Sequence, residues 1–226
     1  MNTKDKLISQ RPTPAGSDEF ANKVNEQQNG HAKNEVKVGK EFESVDEMLD
    51  MIGASLYSMA AMLVGEGEDS IGLMEAAIAR SEVLTGRDAT EAERSTRRAL
   101  CMAAIELIAE RNPGSLAAPK GLQHAQTCIE DDDLEAAGIS REELEQMLAG
   151  PNRASVRNWI EGLATETRVI FVLRAVAGFT ADETTAMLAK HGGKGAEGWN
   201  SDAVREIFRQ GLCSLASQVI HATTAK

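Results

Sequence analysis

Two arginines four residues apart, Arg205 and Arg209, are the side chains here best spaced for recognition chemistry. Asp202 and Glu206 interleave with them, and Ser201 precedes them. Val204, Ile207, Phe208, Leu212, Leu215 and Val219 recur at three- and four-residue steps, which makes one apolar helical stripe. The charged residues fall on the opposite face. A guanidinium exposed on a helix can bond guanine bidentately in the major groove, worth about 1–3 kcal/mol of discrimination per good pair. Asp202 and Glu206 lie within helical reach of the arginines and neutralise part of that charge. Ser201 is the expected N-cap.

Other clusters carry less chemistry. Glu130, Asp131, Asp132 and Asp133 are consecutive acids without the spaced loop and terminal glutamate of a calcium-binding EF-hand. They read as an acidic linker that repels or mimics nucleic acid. Gly192, Gly193, Lys194 and Gly195 follow no strand, so they form no phosphate-binding loop and are expected to be a flexible connection. Cys101, Cys128 and Cys213 are odd in number and far apart, and predict neither a disulfide framework nor a zinc site. Cys213 and His221 share a helix but are too few for a metal, and read as a buried cysteine and a surface histidine. No histidine stands near a candidate nucleophile. Neither catalytic residues, a metal site nor a cofactor is expected, and the chain does not read as an enzyme.

The elements that must position Arg205 and Arg209 are helices. Hydrophobic residues make up 42% of the 226, but aromatics only 4%, and alanine, leucine, methionine and glutamate dominate over β-branched runs. An all-α chain follows. The stretch 163–215 parses into three helices. The first runs from about Thr165 to Val176 and ends at Gly178, where glycine takes the left-handed conformation. Thr180 and Glu183 form a capping box for a second helix, Ala181 to about Lys190. The third is the Arg205 helix. Helix, tight turn, short helix, loop and helix is the grammar of a helix-turn-helix.

The net charge of −11 is unfavourable for a nucleic-acid binder, which gains affinity from cations on phosphates. The charge is uneven, however. Residues 153–226 hold nine basic and seven acidic side chains, and residues 44–111 hold six and thirteen. The C-terminal part is therefore the better candidate for touching DNA.

In that part the chain resembles region four of bacterial RNA polymerase sigma factors of the extracytoplasmic-function type. Leu163, Arg168, Ile170, Phe171, Leu173, Arg174, Gly178, Phe179, Thr180, Glu183 and Leu188 stand in the family's order, and Val204, Arg205, Phe208 and Gly211 echo its closing motif. Ala164 replaces a customary proline, and the loop before the last helix is longer. Farther upstream, Leu56 to Ala60 with Gly65, Asp69, Leu73, Ala77 and Arg80 resembles sigma region two. Here Ile71 and Gly72 replace an acidic pair, and Glu75 stands at a glutamine. Thr96 to Arg111 aligns with the helix that melts the promoter, but with Met102, Glu106 and Glu110 at the positions that should be asparagine, aspartate and basic.

The expected organisation is a disordered tail over 1–43, a helical domain over 44–111 opened by a Ser44 capping box, an acidic linker over 112–152 and a helix-turn-helix domain over 153–226. Within the linker, Ser140 and Glu143 cap a short helix through Leu148, and Gly150-Pro151 breaks it. Arg153 to Leu163 opens the last domain, with Trp159 in its core. No stretch is long and apolar enough to span a membrane and no secretory apolar core follows Met1, which implies a cytoplasmic chain. The resemblance implies a protein that binds core RNA polymerase through Asp69, Leu73 and Glu75. It would address promoter DNA through Ser201, Asp202, Arg205, Glu206 and Arg209, with an anti-sigma factor as a further partner. The departures in region two imply an alternative: a sigma mimic that binds polymerase or an anti-sigma factor without opening promoters.

Overall fold

The computed structural model describes residues 45–81, 89–120, 128–151 and 153–224. The expected tail and the Ser44 cap lie outside them. Every regular element described is helical: α1 Val45–Val64, α2 Glu68–Arg80, α3 Ala89–Arg111, α4 Arg141–Ala149, α5 Arg153–Glu161, α6 Thr165–Phe171, α7 Ala181–His191 and α8 Ser201–Thr224. None is long and apolar enough to cross a membrane.

The apolar spacing dictates what packs. Ile52, Leu56, Met59, Ala60 and Leu63 are buried on one side of α1, and α1 packs against both α2 and α3. On α3 the facing residues are small, Ala92, Ala99, Ala103 and Ala104, with Leu100, Ile105 and Ile108 among them. Small side chains let helix axes approach closely. In the C-terminal half, α6 and α7 pack on α8. Phe171 is fully buried there, edge-on to Trp159 at 5.1 Å between ring centroids and 5.9 Å from Phe208. Gly211 allows this approach, because a Cβ on it would lie 3.2 Å from the Phe171 ring.

The first helix of the C-terminal trio does not run regularly to Val176. After Phe171 it widens into a π turn, Val172–Val176. The Ala177 amide donates to the Val172 carbonyl at 2.8 Å, one residue beyond the α-helical partner. Val172, Leu173 and Ala175 are all buried across the turn, so it inserts one residue without losing its core contacts. Gly178 follows at φ +77 and closely faces the Arg141 guanidinium. Both internal capping boxes form: Thr180 with Glu183, and Ser140 with Glu143. The cap of α8 differs from expectation. Asn200, not Ser201, accepts the Ala203 amide at 2.9 Å, and the Ser201 hydroxyl donates to Asp182 instead.

The described residues of 112–120 and 128–151 are part of the packing. Leu116, Ile129, Leu134, Ile139 and Leu144 are buried in a core cluster that runs from α1 to α8, and the described residues belong to one compact unit. The glycine-rich loop is pinned to this connector rather than loose. The Ala118 amide donates to the Gly195 carbonyl at 3.0 Å, and the Trp199 indole donates to the Leu116 carbonyl at 2.8 Å. A Cβ on Gly195 would come within 3.0 Å of Ala117, and the backbone there sits at φ +88, so the loop needs glycine to lie this close.

Candidate nucleic-acid interface and the acidic segment across it

The inner stripe of α8 is buried as its spacing requires: Val204, Ile207, Phe208, Leu212 and Leu215 all face the core. The outer face divides its charged residues unequally. Asp202 is almost fully exposed, and Arg205 keeps 41% of its side-chain surface. Arg209 keeps 22%, and Glu206 only 6%. Glu206 therefore offers almost nothing to a DNA groove. Its carboxylate accepts from Arg209 at 2.6 Å and leaves its other oxygen buried without a partner.

The cover over this face comes from the connector. The Arg209 guanidinium donates to the Glu130 carbonyl at 3.2 Å. Arg205 pairs with Asp202 at 3.1 Å and with Asp132 at 3.7 Å. A third arginine joins them from the π turn. Arg174 donates to the Asp132 carboxylate at 2.7 Å and to the Asp132 carbonyl at 2.8 Å. Its guanidinium lies 4.9 Å from the centre of the Phe208 ring, a cation–π contact. Burial pushes the Arg174 pKa down from the usual arginine range; the Asp132 charge opposes that shift and Arg205 adds to it. An open cleft of about 450 Å³ runs alongside, lined by Asp132, Arg141, Arg174, Phe179 and Thr180.

The acidic segment is also held covalently. Cys128 and Cys213 form a disulfide with their Cα atoms 5.7 Å apart and 85 residues between them in sequence. This corrects the expectation that no cysteines pair. Spacing in the chain carries no information about two positions that only packing brings together. Cys213 is half-buried, Cys128 is exposed, and Cys101 alone remains a free thiol. Burial pushes the Cys101 pKa up to about 12.

The expected polymerase-binding residues separate in the same way. Asp69 forms a two-pronged pair with Arg111, whose second contact is 2.6 Å. That hydrogen bond holds the Asp69 carboxyl below its ordinary range. Leu73 is 4% exposed and belongs to the core, so it supports the surface of α2 without forming it. Glu75 is exposed. Ile71, 51% exposed and one turn before Glu75, is the larger outward side chain. Periodicity could have flagged Ile71, since it lies off the Leu73–Ala77 stripe.

A second polar cluster had no signal in sequence. His191 at the end of α7 shares a 2.7 Å hydrogen bond with Glu106 of α3, which also accepts from Arg80 at 2.6 Å. Burial acts to raise the Glu106 pKa, but the bonds from Arg80 and His191 outweigh it and hold the carboxyl low. Nearby, Arg94 reaches Glu183 at 2.7 Å and Arg98 at 3.7 Å. The Thr180 amide, and then Arg94, hold Glu183 below the ordinary glutamate range. Among the described residues, no group of three or more His, Cys, Asp or Glu side chains is arranged to hold a metal ion.

Searches with protein-family models, curated proteins and solved structures found no match to this chain.

Proposed function

We propose that this chain is a sigma-factor-like binding protein. Its α1–α3 lobe docks on core RNA polymerase through the exposed face of α2, around Glu75 and Ile71. Its α5–α8 lobe is a helix-turn-helix in which α7 supports α8, and α8 addresses promoter DNA through Arg205 and Arg209. The reading rests above all on one observation. Two helices, joined at the Gly178 turn and the Thr180 cap, pack on the apolar stripe of α8 and turn Arg205 outward. A recognition helix needs its inner stripe anchored in this way, and of the two arginines on the outer face Arg205 keeps the larger exposed surface.

Reconstitution with core polymerase tests the reading. The expected result is stable association and transcription from a promoter template, weakening steeply with salt as counterions are released. Failure to associate with core polymerase overturns it. The second reading, a sigma mimic that binds polymerase or an anti-sigma factor without opening promoters, is favoured by the cover on α8, where Glu206 is buried and Asp132 occupies Arg174. Association with core together with transcription only from a pre-melted template selects the mimic.

A further inference from the structure

We propose that residues 128–134 are a redox-controlled strap: the Cys128–Cys213 disulfide holds an acidic segment over Arg174, Arg205 and Arg209, and reduction uncovers these arginines for a polyanion such as duplex DNA. The proposal rests on the reading of α8 as a DNA-binding helix and adds its regulation.

The geometry is specific to this segment. Cys128 lies two residues before Glu130 and four before Asp132, and Cys213 lies one helical turn after Arg209 on α8. The covalent bond and the ionic contacts therefore pin the same few residues to the same face. The contacts are of the kind a phosphodiester backbone would make. Asp132 gives Arg174 a carboxylate oxygen at 2.7 Å and a carbonyl oxygen at 2.8 Å, and Glu130 gives Arg209 a carbonyl oxygen at 3.2 Å. Phosphate oxygens compete for those donors directly. Downstream the strap is anchored independently, because Leu134 is buried and Asp133 caps the turn at Ala136 with a 2.8 Å bond. Without the disulfide the upstream end keeps non-covalent contacts alone, the burial of Ile129 among them, while the downstream end stays attached. The exposed Cys128 gives a reductant access.

The chemistry is thiol–disulfide exchange with a dithiol. One thiolate of the dithiol attacks a sulfur of the pair, the S–S bond breaks, and the released cysteine thiolate takes a proton. The second thiol of the reductant, on losing its proton, resolves the mixed disulfide. Cys128 and Cys213 end as two thiols, and the dithiol ends as a disulfide, having supplied two electrons and two protons. Oxidised, the strap competes with any polyanion as a tethered ligand at high effective concentration.

The test uses the full chain, oxidised and after reduction with dithiothreitol. Two measurements run in parallel: fluorescence anisotropy of a labelled duplex DNA, and modification of individual arginines by phenylglyoxal, read by mass spectrometry. Reduction is expected to tighten DNA binding about tenfold, because it removes a tethered competitor. It is also expected to speed modification of Arg174 and Arg209. Cys128→Ser is expected to match the reduced form with or without dithiothreitol. Asp132→Asn, with the disulfide intact, is expected to raise both readouts part of the way. Unchanged arginine modification on reduction overturns the strap, whatever the DNA result. Faster modification of Arg174 and Arg209 without DNA binding in either state upholds the strap and overturns the DNA-binding reading instead. Alkylation of Cys101 by iodoacetamide on reduction reports loss of the whole fold, and that result also overturns the proposal.

Discussion

Two seams in this molecule pair arginines with acids, and they are built differently. Between α3 and α7, Arg94 and Arg98 meet Glu183, and Glu106 meets His191. Arg94 keeps 62% of its surface, so water solvates that pair from one side. Where the connector meets the π turn and α8, Arg174 keeps only 14%, lies against the Phe208 ring and meets Asp132, with a disulfide beside it. Paired charges in water contribute little, since solvent screens them and their side chains lose freedom on pairing. A covered arginine is costly to strand, because its desolvation is recovered only while its partner stays in place. The same residue types therefore make a weak, acid-sensitive contact at one seam and a fixed one at the other. Net charge by segment describes neither.

The sharpest way to break the covered seam is from beneath. Phe171→Ala is expected to destabilise the chain by about 3–5 kcal/mol, the range for removing a fully buried aromatic, and to loosen α8 with it. Chemical denaturation of the variant checks this. Cys213→Ser comes next, with an expected loss of about 2–4 kcal/mol for a crosslink closing a long loop. A reduced wild-type sample with the same denaturation midpoint as the oxidised one would contradict that estimate.

The two seams are compared directly by single changes. Asp132→Ala leaves Arg174 covered without its carboxylate and is expected to cost about 1–3 kcal/mol, as for a stranded polar group. Glu183→Gln keeps the cap on Thr180 but loses the charge facing Arg94 and Arg98, and is expected to cost only about 0.2–1 kcal/mol. Equal losses in the two variants would erase the distinction between the seams.

Acid gives the smallest and most selective effect. The folded-state pKa values of Glu106 and Glu183 are both lowered. Their contribution is complete above the unfolded glutamate value of about 4.3 and is lost as pH falls through the lower folded values. Melting temperature is expected to hold steady on this account down to about pH 4.5 and to fall below it. Glu183→Gln should flatten part of that fall.

Much of the helical architecture was legible because its determinants are local. The capping boxes at Ser140 and Thr180 lie within four residues each, and both form. The α8 stripe is read at steps of three and four, and its described residues are buried. The π turn was not legible, since one extra residue in a helix changes no periodicity that a five-residue window can detect. The site was legible only in part. Arg205 and Asp202 face outward as their positions on the helix require. Glu206 and Arg209 share that face in projection, yet both are largely covered, and Arg209 donates to the Glu130 carbonyl 79 positions away in the chain. Arg174 carried a motif match but no signal that Asp132 would claim it.

By itself the sequence determined that the described elements are helical, where several of the helices begin, and which side of α8 turns inward. Those features follow from backbone capping and side-chain periodicity over one or two turns. Only the tertiary structure decided that Cys128 meets Cys213, that Asp132 meets Arg174, and that the connector lies across the arginines of α8. Such contacts depend on packing between distant segments, which one-dimensional spacing does not encode.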